Sequence, residues 1–398
     1  MQSRNANRIQ KLEVRSQNTG VAVAYFAEAA TKARPATAKR KDSSLRFAPF
    51  RMTYILQSIL IFILLFSAGC AREQRAVELY VDAVMLDELN EQDKAVEKLN
   101  TAVQVNKRFS LAYSLLGDIY QKAKNYEKSA ASYEKATELN PWSFGDYFNL
   151  GRDYQIMEKF TLAVKAYAKA CELKPGHLDS HINAAKCYYE IKDFNSALVY
   201  GERARKIDPN VSEVQKILGD IHGVQKDYDQ AIACYKRALE IDSNNAAIMV
   251  SLAVAYLRSN NNEPAKELLT SAMQIQPDNN AAYQYLGYCY LRLREQAAEA
   301  YKQLGEADSN APARKVSLDE YIDKAIESYG RAIEINNKDW EAFRGLGVAY
   351  MLRAIDNNDE LMKEKAVQQW RMSLDIKPDQ PRRERLLELT RKYSKKDK

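Results

Sequence analysis

Only three histidines occur in this 398-residue chain, at positions 177, 181 and 222, so general acid–base catalysis and zinc ligation have few imidazoles to draw on. His177 and His181 are four apart. The first falls in a turn and the second early in a helix, and no Cys or carboxylate completes a ligand set at a recognised spacing, so no metal is expected. Cysteine is also scarce: besides Cys70 there are Cys171, Cys187, Cys234 and Cys289, read as small apolar residues inside helices. A disulfide between some pair of them stays open, with connectivity unreadable from spacing. The 14 glycines form no phosphate-binding loop or nucleophile elbow, and no paired-carboxylate motif stands out. No enzymatic activity and no cofactor are expected.

What the chain does have is a 34-residue period running from residue 76 to 378. One column of it reads Ala83, Gly117, Gly151, Ala185, Gly219, Ala253, Gly287 and Gly347. Glycine inside a helix costs about 1 kcal/mol against Ala, so its recurrence requires a close approach by another helix. Two further columns stay small: Ala95, Ser129, Ala163, Ala197, Ala231, Ala265, Ala325 and Ala366, then Ala102, Ala136, Ala170, Ala204, Ala238, Ala272, Ala332 and Ser373. Between them stands a large side chain, Leu99, Tyr133, Tyr167, Tyr235, Leu269, Tyr329 or Trp370, placed to fill the gap opposite the small residues. Gly201 breaks this column, and Tyr200 is expected to rotate into the space. Pro141, Pro175, Pro209, Pro277 and Pro378 mark the turns between repeats.

These columns resemble the tetratricopeptide (TPR) consensus, with its Leu-Gly and Tyr on a first helix and Ala, an aromatic, Ala and Pro around a second. The resemblance implies an all-α, right-handed α-solenoid of about eight helix-turn-helix repeats, near residues 76–109, 110–143, 144–177, 178–211, 212–245, 246–279, 280–339 and 340–380. A solenoid over residues 71–378 buries its core between neighbours, so one array is expected in place of the several domains that length suggests. His222 stands in the column otherwise held by Tyr and is read as its packing substitute. Residues 381–398 are expected to form a polar capping helix whose Lys and Arg cluster is a solvated end.

Of 59 Lys and Arg and 53 Asp and Glu, residues 1–51 hold eleven and three, leaving a body of 48 basic and 50 acidic groups. Such a body has no electrostatic reason to bind nucleic acid. Residues 52–69 carry no charge and end in Ala68 and Gly69 before Cys70, which resembles a bacterial lipoprotein signal, although Ser67 stands where Leu is usual. The resemblance implies lipid on the Cys70 thiol; a transmembrane anchor is the alternative, since about 20 apolar residues cross a bilayer. Basic charge before the segment puts the repeats on the extracytoplasmic side of a bacterial envelope in either case. Residues 1–51 are a leader, disordered or removed, or partly the product of a misplaced start. The true start, the membrane leaflet and the oligomeric state stay open.

Two insertions interrupt the period. In the seventh repeat Ala325 arrives twenty-six residues late: Leu291 to Asp308 reads as a helix continuation, Ser309 to Arg314 as a loop, and Ser317 with Glu320 as a capping box restarting the second helix. The eighth repeat carries seven extra residues around Asp356 to Asp359.

In TPR arrays the fifth, ninth and twelfth positions of each repeat line an inner groove. Here they nominate Phe148, Arg152, Lys186, Tyr189, Lys216 and Asp220, a cationic stretch, followed by Val250, Val254, Leu257, Tyr288, Leu291, Arg344 and Met351, a mainly apolar one. Adjacent Asn149 and Asn183 resemble two rungs of the asparagine ladder of sugar-transferring members. The expected partner is a protein or peptide, held by a membrane-tethered scaffold of envelope, secretion or pilus-type assembly. The alternatives are an accessory subunit of a carbohydrate-processing or other enzyme and, last, an enzyme in its own right.

Overall fold

Each period folds as two helices joined by a tight turn, and the pairs stack in sequence order. The computed structural model describes residues 71–303 and 311–394, the side chains of 303 and 311–317 excepted; the leader, the 52–69 segment and Cys70 lie outside the described residues. Among the described residues there are seventeen helices and no strand. The first helices are α1 (residues 71–88), α3 (Ser110–Lys122), α5 (Phe144–Ile156), α7 (Leu178–Glu190), α9 (Ser212–Val224), α11 (Ala246–Arg258), α13 (Asn280–Gln303) and α15 (Trp340–Asn357). Their partners are α2 (Gln92–Val105), α4 (Tyr126–Leu139), α6 (Phe160–Leu173), α8 (Phe194–Ile207), α10 (Tyr228–Ile241), α12 (Asn262–Ile275), α14 (Ala311–Ile335) and α16 (Glu360–Ile376), and α17 (Arg383–Tyr393) closes the stack.

The small and large columns meet within each pair. A Cβ added to Gly117, Gly151, Gly219 or Gly287 would come within 2.6–2.8 Å of the ring of Tyr133, Tyr167, Tyr235 or Tyr329, and one on Gly347 within 2.4 Å of Trp370. Where the small residue is Ala83 or Ala253 the large one is Leu99 or Leu269, and each pair is buried in one core cluster. A missing methyl therefore accompanies a ring, and a methyl accompanies the smaller leucine. Gly201 inverts the pattern: the space beside it is taken by Leu218 of the following repeat, 2.8 Å from where a Cβ would stand. Tyr200 instead stacks on Tyr188, with ring centroids 5.2 Å apart. Ser129 is tolerated in an alanine column because its hydroxyl donates to the Gly117 carbonyl at 2.9 Å.

The turn inside each of the first six repeats passes through one left-handed residue, Asn90, Lys124, Glu158, Lys192, Lys226 or Asn260, with φ between 57° and 65°, and that of the eighth through Asn358 at 52°. That twist lets the next amide donate back to the carbonyl of the consensus aromatic column, as Asn125 does to Tyr120 and Asn261 to Tyr256, closing the first helix with a satisfied carbonyl. Asn125, Asp193 and Asp227 then cap the second helix through their side chains.

The insertions lengthen helices. α13 continues to Gln303, and α14 is already helical at Ala311, so residues 311–314, expected as the end of a loop, are helical, Pro312 among them. Ser317 and Glu320 are thus inside α14 and do not start it. In the eighth repeat α15 has 18 residues and α16 has 17, against 13 and 14 in α5 and α6. The expected capping helix is present as α17, whose Leu386 is packed with Met351 and Trp370.

Gly151→Ala is expected to lower the urea midpoint by an amount equivalent to about 1–3 kcal/mol, the usual cost of overpacking. Adding Tyr167→Leu, which recreates the Ala and Leu pairing of other repeats, is expected to restore part of the loss. A double variant less stable than Gly151→Ala alone would show that the two columns do not trade volume.

Candidate binding site on the first-helix face

The nominated cations of repeats three to five are already largely engaged. Lys186 pairs with Glu213 of the following repeat, and Lys216 with Asp220 at 2.7 Å. The other Asp220 oxygen accepts the Tyr235 hydroxyl at 2.7 Å. Only Arg152 of the three stands exposed with no ion pair among the described residues. Asn149 donates to the Tyr133 hydroxyl at 3.2 Å, and that hydroxyl donates to Asp118 at 2.7 Å, so this rung is part of a structural network. Phe148 lies edge-on to Tyr167 and His177, and Tyr189 edge-on to Phe194. Asn183 is half-buried. Where an open cationic stretch was expected, the structure brings together a self-satisfied polar and aromatic face.

The histidines are structural in their contacts. His177 caps α7, its Nδ1 accepting from the Ser180 amide at 3.2 Å, while Nε2 of buried His181 meets the Pro175 carbonyl at 2.9 Å. Burial lowers the pKa of both; Asp179 opposes this at His177, and the Pro175 hydrogen bond opposes it at His181. His222 approaches Asp227 at 3.9 Å. Cys171, Cys187, Cys234 and Cys289 are free and buried, so none of them forms the disulfide left open by the sequence. Burial pushes the thiols of Cys171, Cys187 and Cys289 up to about 12, which makes them poor nucleophiles.

Further along, the first helices α11, α13 and α15 form the floor of a cavity of about 870 Å³. Val254, Leu257, Tyr288, Leu291 and Arg344 line it, joined by Gln284, Val348 and Leu352. Tyr288 and Val348 are each 39% exposed and line the same cavity, so its apolar floor is left partly open to solvent. Val250 and Met351, nominated with them, lie in the core, at 8% and 7% exposure. One wall is the extension of α13, through Leu291, Arg294, Glu295 and Ala298; the other is α17, through Arg385, Leu386 and Leu389. The inserted helix and the cap are thus parts of this site. Gly345 makes room in the floor, since a Cβ there would meet the Tyr329 ring at 2.3 Å. Sequence reading passed over the α17 residues because their basic cluster read as a solvated end. Leu386 and Leu389, three apart among charges, were the available sign of an inward face.

Residues 110–141, 147–177 and 225–287 match tetratricopeptide-repeat family profiles, and the chain is an all-α solenoid built of such repeats. No curated protein matches it. Solved structures similar to it include YrrB, described as a TPR protein with an unusual peptide-binding site, at 24% identity over 47% of this chain and 96% of that one, with a TM-score of 0.42. A tetratricopeptide repeat protein from Parabacteroides merdae is 14% identical over 80% of this chain and 99% of that one, with a TM-score of 0.48. PilW, described as a widely conserved type IV pilus biogenesis factor, is 17% identical over 54% and 99%, with a TM-score of 0.43. At these identities no likeness of site or partner follows.

A histidine whose folded pKa is depressed contributes stability above the unfolded value of about 6.5 and loses it as pH falls below that value. The melting temperature is therefore expected to drop between pH 7.5 and pH 5, and to drop less in His177→Asn, which keeps an N-cap acceptor without a titrating ring. Equal slopes in the two proteins would remove His177 from the account.

Proposed function

We propose that this chain is a tethered, non-enzymatic TPR scaffold that holds a protein or peptide partner on the first-helix face of repeats six to eight. The observation that carries this reading is the half-open apolar cavity. Leaving its walls wet costs roughly 25 cal/mol per Å², and Tyr288 and Val348 are exposed in it although buried positions lie one turn away. Nearly all other chemistry-bearing groups are used in packing, capping or pairing, which favours a binding role over catalysis.

The tether belongs to the same reading. Ala68 and Gly69 end an uncharged stretch before Cys70, and residue 71 already belongs to α1, so lipid on Cys70 would hold the first repeat close to a bilayer on the extracytoplasmic side. No helix among the described residues is long and apolar enough to cross a membrane.

Two measurements test the two halves separately. With p-benzoyl-phenylalanine placed at Tyr288, irradiation in cells is expected to yield a discrete protein adduct. The same probe at Val199, exposed on a second helix, should yield none, and the reverse result would displace the site. Mass spectrometry of the membrane fraction is expected to find a diacylglyceryl-modified amino terminus at Cys70; an intact 52–69 segment would make the anchor transmembrane.

A further inference from the structure

The charges around the cavity select what it can hold. Six arginines line it against two glutamates, Glu295 and Glu341. Arg292 is neutralised by Glu295 at 2.6 Å and Arg294 by Asp356. Arg344 rests over the Trp340 ring, reaches the Pro381 carbonyl at 3.4 Å and stands 4.0 Å from Glu341, whose carboxylate also accepts from Gln284. Arg385 pairs outward with Glu388 at 2.7 Å. Arg258 and Arg382 are exposed and make no ion pair among the described residues.

The two come from different elements of the lining. Arg258 ends the floor helix α11, and Arg382 precedes α17 with φ 62°, a left-handed turn that starts the cap helix beside the cavity. Leu386, 6% exposed against Trp370 and Met351, holds that helix in place, so its arginines are presented by a rigid element and not by a loose tail. An apolar chamber with two unneutralised guanidinium groups in its lining favours a ligand that brings both carboxylate and hydrocarbon, because Arg forks match carboxylates bidentately and a like-charged segment would be rejected. The volume lies within the ~300–1,000 Å³ of small clefts, which suits a few side chains of an extended segment and not a whole domain.

We infer that the cavity reads a short acidic segment of a partner protein, with a large apolar side chain seated on Tyr288 and Val348 and flanking Asp or Glu taken by Arg258, Arg382 and, in exchange for its solvent-exposed pair with Glu388, Arg385. This rests on the peptide-scaffold reading above and adds the partner's chemistry. The cap helix is then a specificity element as well as an end piece. The polar face of repeats three to five offers such a segment less, since its Lys186 and Lys216 already hold Glu213 and Asp220 and Arg152 alone of its nominated cations is unpaired among the described residues.

The test is a selection of random dodecapeptides displayed on phage against the full chain in detergent, followed by anisotropy with the enriched peptides. Sequences combining Asp or Glu with Leu, Phe or Tyr are expected. Their affinity should fall at least about tenfold when Arg258→Glu, Arg382→Glu and Arg385→Glu are combined, and by a similar factor when the peptide acids are changed to amides. All three arginines are exposed, so circular dichroism melting should be unchanged; if it is not, Arg258→Glu alone, remote from the cap helix, carries the comparison. Peptides that depend on Tyr288 but show no acidic bias, or that ignore the arginine changes, would overturn this inference and leave the scaffold reading standing. Binders insensitive to Tyr288→Ala, or none at all, would overturn both.

Discussion

The contact between a small residue on each first helix and the large side chain sixteen positions later sets the geometry on which the stack depends. Each helical glycine costs about 1 kcal/mol in backbone freedom, while burying a full aromatic ring returns about 1.5–3 kcal/mol or more, so trading a methyl for a ring is favourable in every repeat that makes it. The trade is quantised: Ala83 and Ala253 face leucines, while Gly117, Gly151, Gly219, Gly287 and Gly347 face rings. The fourth repeat, with Ala185 and Gly201, has no large residue of its own and takes Leu218 from its neighbour. The insertions respect the same contact. The spacing from Gly287 to Tyr329 and from Gly347 to Trp370 grows by the inserted lengths, yet both pairs close as tightly as the others.

This explains what could be read from the chain before its structure. The columns were visible because each hairpin solves the same local packing problem, so the solution repeats at one period. The helix restart in the seventh repeat was misplaced because Ser317 and Glu320 satisfy a local capping rule, which carries no information on whether the chain before them is already helical, as it is from Ala311. The groove's polarity was half legible. Lys216 and Asp220 are four apart on one helix, a pairing open to inspection, whereas Lys186 and Glu213 meet across repeats at a separation of 27 residues that no local rule marks. The role of α17 was hidden for a related reason: whether a terminal basic helix faces water or a groove depends on where the stack ends.

Packing leads to the site through spacing alone. Once the small column locks a pair of helices, the residues one position beyond it must face away from that contact, and Tyr288 and Val348 follow Gly287 and Gly347 directly. Their exposure is therefore a consequence of the same close approach that buries Tyr329 and Trp370 beneath them. A site built this way sits on the most constrained part of the array, and its floor cannot shift without opening a core contact.

The two ends of the first-helix face have reached different solutions to the same exposure. In repeats two to five the polar groups of the first helices are answered within the array: Asn149 and Asp118 by the Tyr133 hydroxyl, Asp220 by both Lys216 and Tyr235. Such a network leaves Arg152 as the one unpaired nominated cation among the described residues, and disturbing it would strand buried polar groups at a cost of about 1–3 kcal/mol each. In repeats six to eight the corresponding positions are hydrocarbon and aromatic apart from Gln284 and Arg344, and Tyr288 and Val348 stay 39% exposed. The added elements, the α13 extension and α17, stand beside this second region and leave it open while walling it in. Elements serving only to hide apolar surface would be expected to close over it. Walls around an open floor are instead what a receptor for a small segment requires, and the surplus of arginine on those walls carries the sign of the charge it would receive.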